Sequence, residues 1–228
     1  MYIRHLNFKK SMKKTLLTIA LIMITTSNYF SQTSLYENPK FDSIAENHKS
    51  IAILAFNTTV ELRKKQMEKM TVEDLKKLEL NEANSIQISM YSWFLKRKKN
   101  GKLKTIEIQD PKRTNAILLK NNITEENINA YTIEELAKLL KVDAIISGDY
   151  KTNKPMSEGA SIALGLLVGF WGSTNSSTIN MSVHNAMDGV LLWNYNKKVS
   201  GSIGSNSDDL INKLMRKASR RLSYTKKK

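Results

Sequence analysis

An α/β fold is what this sequence predicts: a mixed sheet of about five strands covered by helices, ending in a β-hairpin and a closing helix. Three observations carry the prediction. Two short runs, Ile51-Ala52-Ile53-Leu54-Ala55-Phe56 and Ala144-Ile145-Ile146, are apolar without alternation, as in strands covered on both faces. Between them apolar residues recur at helical spacing. Further on, Asp188-Gly189 separates two β-prone runs, the strongest short-range hairpin signal in the chain.

Taken in order, the first residues read as an export signal over 1–31. Lys9, Lys10, Lys13 and Lys14 precede an apolar run from Leu16 to Ile24, and Thr25, Thr26, Ser27 and Asn28 follow. The run is half of the about 20 residues that a membrane span needs. Met12 is an alternative start, since Met1 to Ser11 add nothing a signal requires. Residues 32–48, polar and containing Pro39, read as a flexible lead-in to a single α/β domain over 49–224.

Asn57-Thr58-Thr59 closes the first strand. A long helix follows from Thr71, with Asp74 completing a capping box and Leu75, Leu78, Ala83, Ile86, Met90, Trp93 and Phe94 on its apolar face. Lys96 to Lys99 suit the negative end of its dipole. Asn100-Gly101 turns the chain into a strand over 103–108. Asp110-Pro111 starts a helix that is expected to bury Ala116, Ile117 and Leu118 or Leu119. A short helical turn is expected over 124–129, then Thr132 and Glu135 cap a helix bearing Leu136, Ala137, Leu139 and Leu140. Strand Val142 to Tyr150 comes next. The hairpin alternates Ile179, Met181 and Val183 outbound and returns through Val190 to Tyr195. Ser207 caps a closing helix with Leu210, Ile211, Leu214, Ala218 and Leu222 along one stripe, and 225–228 form a basic tail.

Charge and cysteine content narrow the function. The chain carries +15 and contains no cysteine, so disulfides and a cysteine-linked lipid anchor are excluded. A basic surface favours anionic partners. Nucleic acid is not expected of an exported chain.

Three pieces together resemble a known family. They are the strand Ile51 to Asn57, the helix-strand unit Ala137 to Tyr150, and the hairpin Asn185-Ala186-Met187-Asp188-Gly189-Val190-Leu191-Leu192-Trp193 with its closing helix. This set is similar to the periplasmic α/β domain of the curli-secretion channel protein, a domain shared by the amino-terminal domain of TolB and by lipoprotein activators of peptidoglycan synthases. The resemblance implies a binding scaffold of the cell envelope with no active site to carry over. No pair of long alternating hairpins suited to a membrane barrel is visible.

A glycine-rich apolar insertion, 157–177, interrupts the pattern. Gly165 and Gly169 have the spacing that lets helices approach closely, and Phe170 and Trp171 follow. Two readings stand for it. One is a surface contacting lipid or a second copy through Gly165, Gly169, Phe170 and Trp171; the other is a buried helix crossing another element. Catalytic signals are weak. His5, His48 and His184 have no metal-ligand spacing, and a solitary strand histidine is more often structural. No nucleophile elbow, phosphate loop or dinucleotide fingerprint occurs. Trp193, Tyr195, Trp93 and Phe94 read as core anchors. Asp143 and Asp188 read as boundary and turn residues.

The functional expectation is an exported, non-enzymatic scaffold or adaptor in the periplasm, secreted, or associated with the outer membrane without a lipid anchor. Its expected partners are envelope proteins, a second copy of the chain or a membrane surface; no cofactor, metal or catalytic residue is expected. The alternative is a membrane-active protein that inserts 159–172 into lipid. A hydrolase reading requires two of Asp143, Asp149 and Asp188 to line one cleft roughly 5–10 Å apart.

Overall fold

The run Ile51 to Leu54 shows why this chain forms a layered sheet. Ile51 and Ile53 join one core cluster, while Ala52 and Leu54 join another on the opposite face. A strand that is apolar on both sides needs a cover on both sides, and helices supply it. The computed structural model describes residues 33–153 apart from Arg63, Lys69, Lys104 and Thr105, residues 176–200, and Leu214, Arg216, Ala218, Leu222 and Tyr224. The signal pattern over 1–31 and the tail 225–228 lie outside the described residues.

Among the described residues the sheet is mixed and has seven strands: β1 (Thr33–Glu37), β2 (Ser50–Ile53), β3 (Asn57–Val60), β4 (Glu107–Ile108), β5 (Ala144–Thr152), β6 (Ser176–Asn185) and β7 (Leu191–Ser200). Their order is β1-β7-β6-β5-β2-β4, with β3 pairing β5 beyond the end of β2. Pairs among β2, β3, β4 and β5 are parallel; β5-β6, β6-β7 and β7-β1 are antiparallel. The helices are α1 (Phe41–Ala45), α2 (Lys64–Met67), α3 (Val72–Lys99), α4 (Pro111–Lys120) and α5 (Ile133–Leu140), with a 3-10 turn at Ile128–Ala130.

Local chemistry sets the helix ends where the sequence places them. Thr71 with Asp74 and Thr132 with Glu135 both form complete capping boxes, and Asp110 caps α4 with Pro111 at its first position. The face of α3 enters the first cluster through Ile86, Met90 and Phe94, alongside Trp193 and Tyr195, whose rings stack at 5.6 Å. Of the closing stripe, Leu214, Ala218 and Leu222 are buried in that cluster, and Leu214 and Ala218 are helical. Leu210 and Ile211 lie outside the described residues. α4 and α5 cover the other face, with Leu118, Leu136, Ala137 and Leu140 over Ala52 and Ile145.

Several expectations need correction. Residues 33–48 are not a loose lead-in: β1 adds antiparallel to β7, and Phe41, Ala45 and His48 are buried. Backbone pairing to an open sheet edge needs no apolar pattern, so composition gave no sign of β1. The domain accordingly begins at Thr33. Asn57 to Thr59 do not end the sheet segment but start β3, whose Thr58 and Val60 turn inward. Strand 103–108 contracts to Glu107–Ile108, although Leu103 and Ile106 are buried. In α4 the buried residues are Pro111, Thr114 and Leu118; Ala116 and Leu119 face outward.

Candidate functional site

The register between β2, β3 and β5 contains the feature that makes a site. Ile53 sits opposite Ile146 and Asn57 opposite Asp149, so one strand spends an extra residue over that interval. This is a bulge, a device that bends a strand and re-aims its side chains. Gly148 lies against it. A Cβ there would fall 2.1 Å from the Asn180 carbonyl oxygen and 2.8 Å from the Phe56 ring, so only glycine lets the bulged segment pack this closely.

A cleft of about 670 Å³ opens at the bulge, with Leu54 to Asn57 and Ser147 to Asp149 at its base. Its position follows from topology. α3, leaving after β2 and β3, packs on one face, whereas α4, leaving β4, packs on the other. Crevices beyond the carboxyl ends of parallel strands, where connections diverge to opposite faces, are where open α/β sheets bind ligands.

One wall is an amide ladder. β4 pairs β2 only at Ser50 and Ile51, so the Ile53 carbonyl gets no partner from that strand. Gln87, fully buried on α3, donates Nε2 to it at 2.6 Å. Gln87 and Asn115 exchange two further hydrogen bonds at 3.0 Å, and Asn115 Nδ2 donates onward to the Asn84 oxygen at 3.4 Å. The ladder ends on the oxygen of Asn84, which also lines the cleft. At the base Asn57 Nδ2 donates to Asp149 at 3.0 Å. Thr124, Asn129, Ser147 and Ser182 add to the polar lining, while Leu119 (68% exposed), Leu80 (39%) and Tyr131 (38%) form an apolar rim. Among the described residues, Glu125 and Asp149 are its charged lining.

A second polar cluster lies at the opposite end of β5. The Asp188 carboxylate accepts from Asn185 Nδ2 at 2.7 Å, which orients that amide. Its oxygen therefore faces His48 Nε2 at 3.0 Å, so Nε2 carries the imidazole proton. His48 Nδ1 is left to accept the Tyr224 hydroxyl at 2.5 Å. Burial, with the Asp143 charge second, pushes the Tyr224 hydroxyl well above its ordinary range and keeps it a donor. Nearby, burial works to raise the Asp143 carboxyl. Hydrogen bonds from Lys49 N, Ser50 N and the Ser50 hydroxyl outweigh it and hold the group below the ordinary carboxylate value. These hydrogen bonds tie together segments far apart in the chain, Lys49 and Ser50 to Asp143 and His48 to Asn185 and Tyr224.

The residues singled out by sequence fall as follows. Asp149 lines the cleft, but Asp143 is six residues away along an extended strand, about 20 Å. Asp188 follows Asn185, which pairs with Ala144 at the Asp143 end. Asp149 therefore has neither of the other two within hydrolase range. His184 is half-buried on β6; burial lowers its pKa against an opposing pull from Glu134. Trp193, Tyr195 and Phe94 are core anchors, while Trp93 is partly exposed with Lys96 over its ring at 5.4 Å. Gly165, Gly169, Phe170 and Trp171 lie outside the described residues. Among the described residues, no group of three or more His, Cys, Asp or Glu is placed to share an ion, and no helix is long and apolar enough to cross a membrane. The asparagines of the cleft escaped the sequence reading. The one available signal was Asn57, a polar residue directly beyond a buried parallel strand.

No family model and no curated protein matches the chain. Among solved structures it is similar to the PelC dodecamer from Paraburkholderia phytofirmans, at 8% identity, over 82% of this chain and 94% of that one, with a TM-score of 0.41. It is also similar to lipoprotein GNA1162 from Neisseria meningitidis (12% identity, 75% of this chain and 95% of that one, TM-score 0.43). The LpoB C-terminal domain from Salmonella enterica is a third (8% identity, 72% and 94%, TM-score 0.32).

Proposed function

We propose that this chain is a non-enzymatic adaptor of the cell envelope whose cleft beyond β2 holds a segment of a partner protein. The make-up of the cleft carries this reading. Neutral amides on the wall and base, with an exposed apolar rim, match a polypeptide, which offers amide groups and apolar side chains together. Asp149 shares the cleft with neither Asp143 nor Asp188, the two carboxylates with which the hydrolase reading would have joined it. The envelope setting rests on the signal pattern of residues 1–31, and a role in outer-membrane assembly or secretion rests on the strand and turn resemblance.

A photo-crosslinking residue at Leu119, in cells producing the full chain, tests the reading. The control is the same residue at Met187, 86% exposed on the hairpin turn at the far end of β5. A discrete crosslinked protein from position 119 and none from 187 is the expected result. Equal patterns from both positions, or no product from either, would refute it.

A further inference from the structure

The cleft reverses the charge of the protein around it. Lys and Arg make up 36 of the 228 residues, and the chain carries +15. Yet among the described residues none of the 21 lining the cleft is Lys, Arg or His, and the two charged side chains are Glu125 and Asp149. Low-dielectric walls of one sign focus their field on whatever enters. Asp149 has one oxygen engaged by Asn57, a neutral donor, so its charge is not cancelled there.

Resting on the reading of the cleft as a site for a protein segment, we propose that the segment is extended and presents a Lys or Arg side chain to Asp149 and Glu125. The backbone of such a segment would exchange hydrogen bonds with the side-chain amides of Asn57, Asn84 and Asn129, each of which carries both a donor and an acceptor, as a peptide group does. Apolar side chains flanking the cation would cover Leu80, Leu119 and Tyr131, which are exposed in the free chain. Overall charge and local charge here point to opposite ligands. The basic surface as a whole favours acidic peptides; the cleft favours basic ones.

The test uses the full chain and three pools of blocked nonapeptides, random except for a central Lys, Glu or norleucine. The Lys pool is expected to be captured about tenfold more than the Glu pool at low salt, with the gap narrowing at 1 M salt as screening shortens to about 3 Å. The double variant Asp149→Asn, Glu125→Gln is expected to lose the Lys preference with an unchanged circular dichroism spectrum. Leu119→Ser is expected to weaken all three pools together. Preference for the Glu pool, capture of none of the pools, or a Lys preference that survives the double variant would overturn the proposal. If the Leu119 crosslink forms while the pools show no charge preference, this inference falls and the adaptor reading stands; if the crosslink also fails, both fall.

Discussion

Replacing Tyr224 by Phe isolates one hydroxyl in a buried relay. The Phe ring keeps the edge-to-face contact with Phe41, at 5.2 Å between centroids, so packing is nearly conserved. What disappears is the donor to His48 Nδ1. Nε2 must remain protonated because it faces the Asn185 oxygen, and that oxygen is oriented by Asp188. The imidazole therefore cannot change tautomer to hide its loss, and Nδ1 becomes a buried acceptor without a partner. Such a group costs about 1–3 kcal/mol. For a domain of this size, each kcal/mol corresponds to a fall of about 2–4 °C in Tm. Urea unfolding of wild type, Tyr224→Phe, His48→Leu and the double variant gives the coupling directly. A coupling of about 1 kcal/mol or more is expected for a contacting pair. A Tyr224→Phe loss below about 0.5 kcal/mol together with additive single variants would refute the relay and the proton placement derived from it.

Two other perturbations test separate parts of the structure. Gly148→Ala puts a methyl group against backbone on β6, which cannot yield as a flexible side chain does; a loss of about 3 kcal/mol or more by urea unfolding is expected, above the usual range for overpacking. A smaller loss would mean that the bulge is looser than its register implies. Asp143→Asn tests the depressed carboxyl. Because its folded-state pKa lies below the unfolded value of about 3.9, its contribution is fully present above that pH and is lost as pH falls through the folded value. The stability gap between wild type and Asp143→Asn should be largest at neutral pH and shrink below about pH 4. A gap that widens on acidification would contradict the hydrogen bonds assigned to it.

The α/β class, the sheet covered on both faces, the capping residues Thr71, Asp110 and Thr132, and the turn at Asp188-Gly189 were all written locally in the chain. Each depends on contacts between residues a few positions apart or on a simple period, and those survive in one dimension. The site was not legible in that way. Gly148 and Phe56, Gln87 and Ile53, Asn84 and Asn115 are each separated by roughly thirty positions or more, and no periodicity links them. Tertiary structure alone decided that a two-residue β4 leaves the Ile53 carbonyl to a helix side chain. It also decided that the segment joining β2 to β3 gains a residue against β5, and that four asparagines gather where the connections part. Burial patterns report which face of an element is covered; they carry no record of where two covers fail to meet, and the cleft is such a gap.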